Sequence, residues 1–583
     1  MAATAVLHLL MALLPQRALK PAAITSRRHF SPSMLKAKYD LVVIGGGPVG
    51  VTAALRGASL GYDTILIDAT PPRQYQFTGP TGLFSKALRD SAIRLDVPVL
   101  RKMGIVDTAI WAQVNEFVEQ ILRKSGDNNM QALSLSRVPH LRGMGSLHVC
   151  ADGATTSACS VEVTYSGGKR AATGQSITLS SDNVLLATGS RALRLATLDE
   201  WYDEPLGGHI RCHDSDSIKR LSFLPRSVVV IGGGIIAVEF ARIFAALAAD
   251  VTMIVRASDL PNSLSRVGID RQIGYLLQSE LLASGVTLLF ESEVTGAKAV
   301  VASRSQRSQR KGGRAQGDQL RLDVVRTGTT EERSPILTDL VLSATGRKAV
   351  TQGLGLEELG IEIKPNGDVA VGSDLMTSSP GVYAAGDLIG APQLASTGIE
   401  QAESAVDAMF TLPDDRANAE LATRQDCSPA ALLSNAARYP IGIWTMPELA
   451  FVGLTAAAAA APPHNLDVVE GIGRYSESIR GHVHTVGTGC EGEYLAGYVA
   501  PGGGDASPAA AGQDKPLSGP ALKLVVERKS PHRVVGVHVF GDDACELIHF
   551  GTTLVQVSST IRPPNSLSRA SLSVPAQPRG VVC

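Results

Sequence analysis

The sequence predicts an α/β protein: two Rossmann-type units, each built on a parallel sheet, followed by a smaller α+β domain at the C-terminus. Two glycine-rich turns carry that prediction. The first reads Tyr39-Asp-Leu-Val-Val-Ile-Gly45-Gly-Gly47-Pro-Val-Gly50 and the second Ser227-Val-Val-Val-Ile-Gly232-Gly-Gly234-Ile-Ile-Ala237. Each follows a short, wholly apolar run, as a strand buried on both faces requires, and each opens an alanine-rich helical pattern. The third observation is length. A chain of 583 residues exceeds one core, and at about 150 residues per domain three or four are expected.

Along the chain, residues 41–44 form the first predicted strand, 49–60 a helix and 64–67 a second strand closed by Asp68. Helical patterns follow around 84–100 and over 111–124. Residues 141–171 are rich in β-formers, and 176–189 end in the apolar strand Asn183-Val-Leu-Leu-Ala-Thr188-Gly189. The second unit runs from 227 to 256, with a further helix over 270–285 stopped by Ser284-Gly285. Residues 300–330 predict a long hairpin whose tip is disordered, the basic run at 304–314 being a solvated loop. Strand ends follow at Ala344-Thr345-Gly346-Arg347 and at Gly381-Val-Tyr-Ala-Ala-Gly386-Asp387, then a helix over 397–409. Composition shifts at 411–437, which reads as a linker. Strands near 442–444, 522–526 and 534–540 and a helix over 544–557 make the last domain. Residues 456–463 and 502–518 are expected to be disordered, and 558–583 an unstructured tail.

Composition excludes several classes. A net charge of −1 gives no nucleic-acid surface. The seven cysteines are scattered, odd in number and without CxxC or zinc spacing, so neither a disulfide framework nor a metal site is expected. Residues 1–38 carry Arg17, Lys20, Arg27, Arg28, Lys36 and Lys38 and no acid, the composition of an organellar transit peptide. A mitochondrial location is expected, with plastid and cytoplasm as alternatives. The apolar stretch 5–14 is too short to span a bilayer, and no later run approaches a transmembrane length.

The chemistry starts at the turns. Gly45 permits the tight turn, Gly47 lets the backbone approach a pyrophosphate, and Gly50 lets helix and strand pack closely. The helix N-terminus then faces the anionic diphosphate, and Asp68 accepts from ribose hydroxyls. Gly232, Gly234 and Ala237 repeat the arrangement. Where the first unit has Asp68, the second has Val255 followed by Arg256. An acid there repels a 2′-phosphate; a neutral residue beside an arginine accepts one, so NADPH is expected, alongside NADH. Two dinucleotides in one chain imply hydride transfer between them.

Together with Ala187-Thr188-Gly189, Ala344-Thr345-Gly346-Arg347, Tyr383-Ala-Ala-Gly386-Asp387 and Leu394-Ala-Ser396-Thr-Gly398, these turns make residues 39–557 resemble the two-dinucleotide flavoproteins typified by glutathione reductase and dihydrolipoyl dehydrogenase. The resemblance implies FAD as cofactor on the first unit and NAD(P)H as substrate on the second. It implies an FAD-binding domain at 39–190 and 348–410, an NAD(P)-binding domain at 191–347, and a dimerisation domain at 438–557, hence a homodimer. It places Thr188, Gly189 and Asp387 with Gly45, Gly47, Gly50 and Asp68 at the FAD, and Gly346 and Arg256 with Gly232, Gly234 and Ala237 at the NAD(P). Glu239 falls beside the nicotinamide and Lys86 near the flavin, the two residues expected to be catalytic.

One departure is informative. The family writes Cys-x4-Cys-x-x-Ser-Lys, and this chain has Phe77 and Gly82 at the two cysteine positions before Ser85-Lys86. Without a dithiol, disulfide reduction is not expected. Asp214-Ser-Asp216-Ser-Ile218, Gly442-Ile-Trp444-Thr-Met-Pro447-Glu448 and the stretch from Val537 to His549 resemble the branch of soluble pyridine-nucleotide transhydrogenases. His538 and His549 are expected to be structural. The family's C-terminal His-Glu segment has no counterpart in 558–583. The expected function is transfer of hydride between NADPH and NAD+ through FAD without a redox disulfide. The alternatives are a diaphorase-like reductase of a quinone or other acceptor, and an inactive FAD-binding structural or interaction protein.

Overall fold

The computed structural model describes residues 35–69, 81–148, 159–165, 176–301, 318–410, 439–475, 519–529 and 531–556. The chain divides into two units, Met1–Ala37 and Lys38–Cys583, and every described helix and strand belongs to the second. The expected leader (save 35–38), the 411–437 linker, the hairpin tip, 502–518, the tail and Phe77 lie outside the described residues.

The first sheet is centred on Lys38–Ile44, which pairs in parallel with Thr64–Asp68 on one side and with Ser176–Leu186 on the other. Connections diverge from this strand, so its C-terminal end opens a crevice. Val382–Ala384 adds in parallel to the far edge of Ser176–Leu186. The other end of that long strand turns into an antiparallel meander with Cys159–Tyr165 and His140–His148. The second sheet is wholly parallel, in the order Thr287–Leu289, Asp250–Ile254, Ser227–Ile231, Leu340–Ser343, Cys212–Asp214. A separate three-stranded antiparallel sheet holds the hairpin Ser292–Val300 and Gln319–Arg326 with Ile336–Thr338; its first arm precedes the expected span 300–330. The C-terminal domain is a five-stranded antiparallel sheet, Ile441–Ile443, Glu448–Gly453, Val534–Gly541, Ala521–Glu527, Val468–Arg474, packed under helix Ala544–Gln556.

Three expectations are corrected. The pattern over 84–100 is two helices, Thr81–Arg94 and Val97–Lys102, because Asp96 stops the first and caps the second by accepting from the Val99 N–H at 3.0 Å. The helix expected over 111–124 runs from Asp107 to Leu135, since Ile110, Trp111, Val114, Val118 and Leu122 keep its inner face buried. Residues 456–463 contain a helix, Ala456–Ala460. Thr455 Oγ1 accepts from the Ala458 N–H at 3.1 Å, alanine has the highest helix propensity, and Ala459 is fully buried.

One continuous core crosses all three parts. Leu88 and Trp111 from the first domain, Phe240 and Phe244 from the second sheet's helix, and Phe451 and Phe540 from the C-terminal sheet belong to it. The Trp111 indole N–H is satisfied by the Leu221 carbonyl at 3.1 Å, so this aromatic anchor loses no hydrogen bond on burial. That shared core fixes helices Thr81–Arg94 and Ile235–Ala246 against each other, which places the site described next.

Candidate functional site

At the first turn, Gly45 has φ +116°, and a Cβ there would lie 2.2 Å from the Ala187 carbonyl oxygen. Only glycine fits. A Cβ at Gly50 would lie 1.8 Å from the Gly45 carbonyl oxygen, which is why the helix Pro48–Ser59 can start so close to the strand. Gly47 caps that helix, and a Cβ there would meet nothing within 4 Å. The glycine of the helix N-terminus thus faces open space, with no side chain answering its N–H groups. That arrangement fits a diphosphate. Asp68 ends Thr64–Asp68, half-buried at the mouth of the same crevice.

The second turn repeats the first. Gly232 has φ +134° with a Cβ position 2.3 Å from the Ala344 carbonyl oxygen, and Gly234 caps helix Ile235–Ala246 facing open space. Ala237 is fully buried. Val255 is buried and Arg256 exposed, so the cation stands free of the core at the end of the second strand. Gly346, at φ +131°, lies just past the neighbouring strand end.

Lys86 and Glu239, far apart in sequence, meet where the two helices cross. Lys86 Nζ donates to Glu239 Oε1 at 2.8 Å and to Oε2 at 3.0 Å. The carboxylate is 5% exposed and the lysine 28%, so the pair is buried from the acid's side and open from the cation's. The Trp444 backbone N–H donates to Oε1 at 3.0 Å and Ser85 Oγ to Oε2 at 3.4 Å. Every acceptor of the buried acid is thereby engaged, as burial of a charge requires. Gly82, one turn before Lys86, leaves a hypothetical Cβ 3.9 Å from Lys86 Nζ.

Asp387 lies at the third predicted position. It follows Gly386, whose N–H donates to Gln401 Oε1 at 2.8 Å, and its Oδ2 accepts from Ser190 Oγ at 2.6 Å. Ser190 begins a two-stranded crossing, Ser190–Ala192 with Arg347–Ala349, that joins the two dinucleotide units. Arg347 Nε donates to Ser190 Oγ at 2.8 Å and Nη1 to Asp216 Oδ1 at 2.8 Å. Thr188 donates to the Val350 carbonyl at 2.8 Å, and Gly189 takes φ +70°. A cavity of about 600 Å³ lies against this crossing, lined by Arg191, Arg194, Asp216, Lys219 and Lys348 among others.

Sequence reasoning singled out Lys86, Glu239 and Asp387 but assigned no role to Arg89, Trp444, Glu448 or Ser190. Arg89 had a signal: three residues after Lys86, it shares a helix face with it. Trp444 and Glu448 stood out only as part of a family motif, and the Trp444 contribution is a backbone N–H brought in from another domain. Cys212 and Cys545 are free thiols, and both are buried. Burial, then the Asp214 charge, pushes the Cys212 thiol up to about 12, and burial and Glu448 raise that of Cys545. Neither is a thiolate at neutral pH, so neither is a nucleophile. Burial keeps the His538 imidazole below the usual range, and the ring stacks on Phe451.

A family model, pyridine nucleotide-disulphide oxidoreductase, matches residues 39–405. A soluble pyridine nucleotide transhydrogenase of Marinomonas is 27% identical over 532 residues, 90% of this chain and 92% of that protein. Proteins of the same name from Mycobacterium bovis and Yersinia pestis are each 26% identical, over 90% and 89% of this chain and 92% and 91% of theirs. Among solved structures, a flavoprotein disulfide reductase, RclA of Escherichia coli, superposes with TM-score 0.63 at 18% identity, covering 91% of this chain and 97% of that one. LpdA of Mycobacterium tuberculosis gives 0.63 at 21% identity, covering 90% and 94%. These relatives correct the mitochondrial expectation: they are bacterial proteins whose name calls them soluble. An acid-free basic stretch is also what any solvated segment can be, so composition alone carried no address. Among the described residues no helix is long and apolar enough to cross a membrane.

Proposed function

The chain belongs to the pyridine nucleotide-disulphide oxidoreductase family and is an FAD-dependent oxidoreductase with NAD(P)H as substrate, and from that premise we propose that it is a transhydrogenase working without a redox disulfide. When bound, FAD supplies a two-electron carrier that takes hydride from one pyridine nucleotide and returns it to another. The chain's own residues bind, orient and exclude water. Gly45, Gly47 and Gly50 with the N-terminus of Pro48–Ser59 hold the FAD diphosphate, Asp68 its ribose, and Thr188, Gly189 and Asp387 the part nearer the ring system. Gly232, Gly234 and Ala237 hold the nucleotide diphosphate, Gly346 borders that site, and Arg256 takes a 2′-phosphate. Lys86, locked by Glu239, presents a fixed cation where the two units meet.

The observation that carries this reading is the Lys86–Glu239 pair itself. It joins the helix of the first unit to the helix of the second directly, with glycine at the position of the family's second cysteine. The relatives' name, and the burial of the Cys212 and Cys545 thiols, support it. The domains then run 39–190 with 348–410 for FAD, 191–347 for NAD(P) and 438–557 for dimerisation. Helix Ala544–Gln556 leaves Leu547, Phe550 and Leu554 exposed on one face, an apolar stripe suited to a second copy of the chain. Equilibrium sedimentation of the parent and of Phe550→Glu checks the dimer.

The deciding experiment gives NADPH and thionicotinamide-NAD+ to FAD-loaded protein, with and without iodoacetamide. Turnover unaffected by alkylation is expected. Absence of thionicotinamide reduction alongside rapid quinone reduction moves the assignment to the diaphorase-like reading; inhibition by alkylation overturns the thiol-free mechanism.

A further inference from the structure

The segment 444–448 of the C-terminal domain is gripped from three sides. Arg89, on the helix that carries Lys86, donates from Nε to the Thr445 carbonyl at 3.1 Å and from Nη2 to Glu448 Oε1 at 2.8 Å. Arg242, on the helix that carries Glu239, donates from Nε to the Met446 carbonyl at 2.8 Å. The Cys545 N–H, at the start of Ala544–Gln556, donates to Glu448 Oε2 at 3.0 Å. Arg89 and Glu448 are both buried. Between them stands Trp444. Its ring has the Lys86 ammonium 5.6 Å and the Arg89 guanidinium 5.7 Å from the centroid, and its backbone N–H donates to Glu239 Oε1.

We propose that Arg89 is a positioning residue for the Lys86–Glu239 pair, acting through the Trp444 peptide N–H. The proposal rests on the reading of that pair given above. A carboxylate held only by a flexible lysine can rotate about its last torsion. A third donor from a rigid backbone fixes the plane, and with it the place of the ammonium. That donor comes from the C-terminal domain, which meets the pair through Trp444, its peptide N–H on Glu239 and its ring beside the Lys86 ammonium, so the segment must be held in register. Arg89 does so because its planar fork presents two N–H groups at a fixed angle to two acceptors three residues apart, the Thr445 carbonyl and the Glu448 carboxylate. A lysine can satisfy one of them. The same Glu448 accepts the Cys545 N–H in the first turn of the helix with the apolar stripe, which ties that helix to the segment.

The test uses the full chain, with and without FAD. Arg89→Met alone strands the Glu448 charge in the core, so the variants are Arg89→Lys and the paired Arg89→Met/Glu448→Met, which removes both charges together. The first readout is hydrogen exchange of the Trp444 amide, which needs neither cofactor nor turnover. Exchange about tenfold faster is expected in the paired variant, and an intermediate value in Arg89→Lys. The second is single-turnover bleaching of the flavin by NADPH. It slows about tenfold, while the nucleotide Kd stays within about twofold. In a Glu239→Gln background the further slowing disappears, because both changes act through one contact. Unchanged Trp444 exchange in the paired variant overturns the proposal, as does slowing of equal size with and without Glu239. If Glu239→Gln itself bleaches at the parent rate while Trp444 exchange still rises, the positioning of the amide stands and the reading of the pair as part of the flavin site fails.

Discussion

The two glycine turns share a backbone and differ in what surrounds it. Gly45 and Gly232 take φ of +116° and +134°, and each has its Cβ position blocked by a carbonyl oxygen of the adjoining strand end, Ala187 or Ala344. Gly47 and Gly234 cap their helices with ψ of −178° and −179°. They part at the third position and at the end of the second strand. Gly50 has no room for a methyl group, whereas Ala237 carries one, fully buried. Asp68 closes the first crevice where Val255 and exposed Arg256 close the second. In the proposed reading the turn supplies the diphosphate cradle common to both sites, and the residues around it select the dinucleotide.

The largest expected break in that comparison is Gly50→Ala. Its new methyl meets backbone, not a movable side chain, so destabilisation of about 3 kcal/mol or more and loss of FAD on gel filtration are expected. The reciprocal change, Ala237→Gly, costs only about 1 kcal/mol of helix propensity and keeps nucleotide binding. Equal effects of the two would mean that the turns are not differently packed.

Acid sharpens the comparison next. Each sheet holds a histidine whose imidazole burial depresses: His140, down to about 4, and His213. An exposed imidazole titrates near 6.5, so between those values the unfolded chain binds protons that the folded chain refuses. Stability is full above 6.5 and falls as the pH drops toward 4, by roughly 3 kcal/mol at most for His140 at 1.36 kcal/mol per pKa unit. Denaturant titrations at pH 7 and pH 4.5 measure it, and His140→Gln should flatten the slope.

The smallest and most selective effect is Arg256→Ala. Removing charge-assisted bonds worth about 1.5–3 kcal/mol should raise KM for NADPH roughly tenfold or more and leave NADH unchanged. An equal rise for both nucleotides would take Arg256 out of the 2′-phosphate site.

Much of the site was legible because its parts are local. A glycine turn between an apolar run and a helix fixes its own geometry, so Gly45, Gly47, Gly50, Gly232, Gly234 and Ala237 were readable within a dozen residues each. The misreading at 456–463 had a local cause of another kind. Alanine-rich sequence next to proline looks unstructured until a Thr455 cap and one buried methyl decide for helix. The contacts of Arg89, Ser190 and Glu448 were opaque because their partners lie far along the chain, at separations where no periodicity survives.

The sequence by itself determined the two strand-turn-helix units, the missing cysteine pair and the difference between Asp68 and Arg256, since each depends on sterics or charge within one turn of chain. Only the tertiary structure decided that Lys86 meets Glu239, that Trp444 supplies the last donor to it, and that Asp387 is tied through Ser190 to Arg347. Those contacts require three domains to share one core. Burying that core together is what brings donors and acceptors hundreds of residues apart to within hydrogen-bond distance.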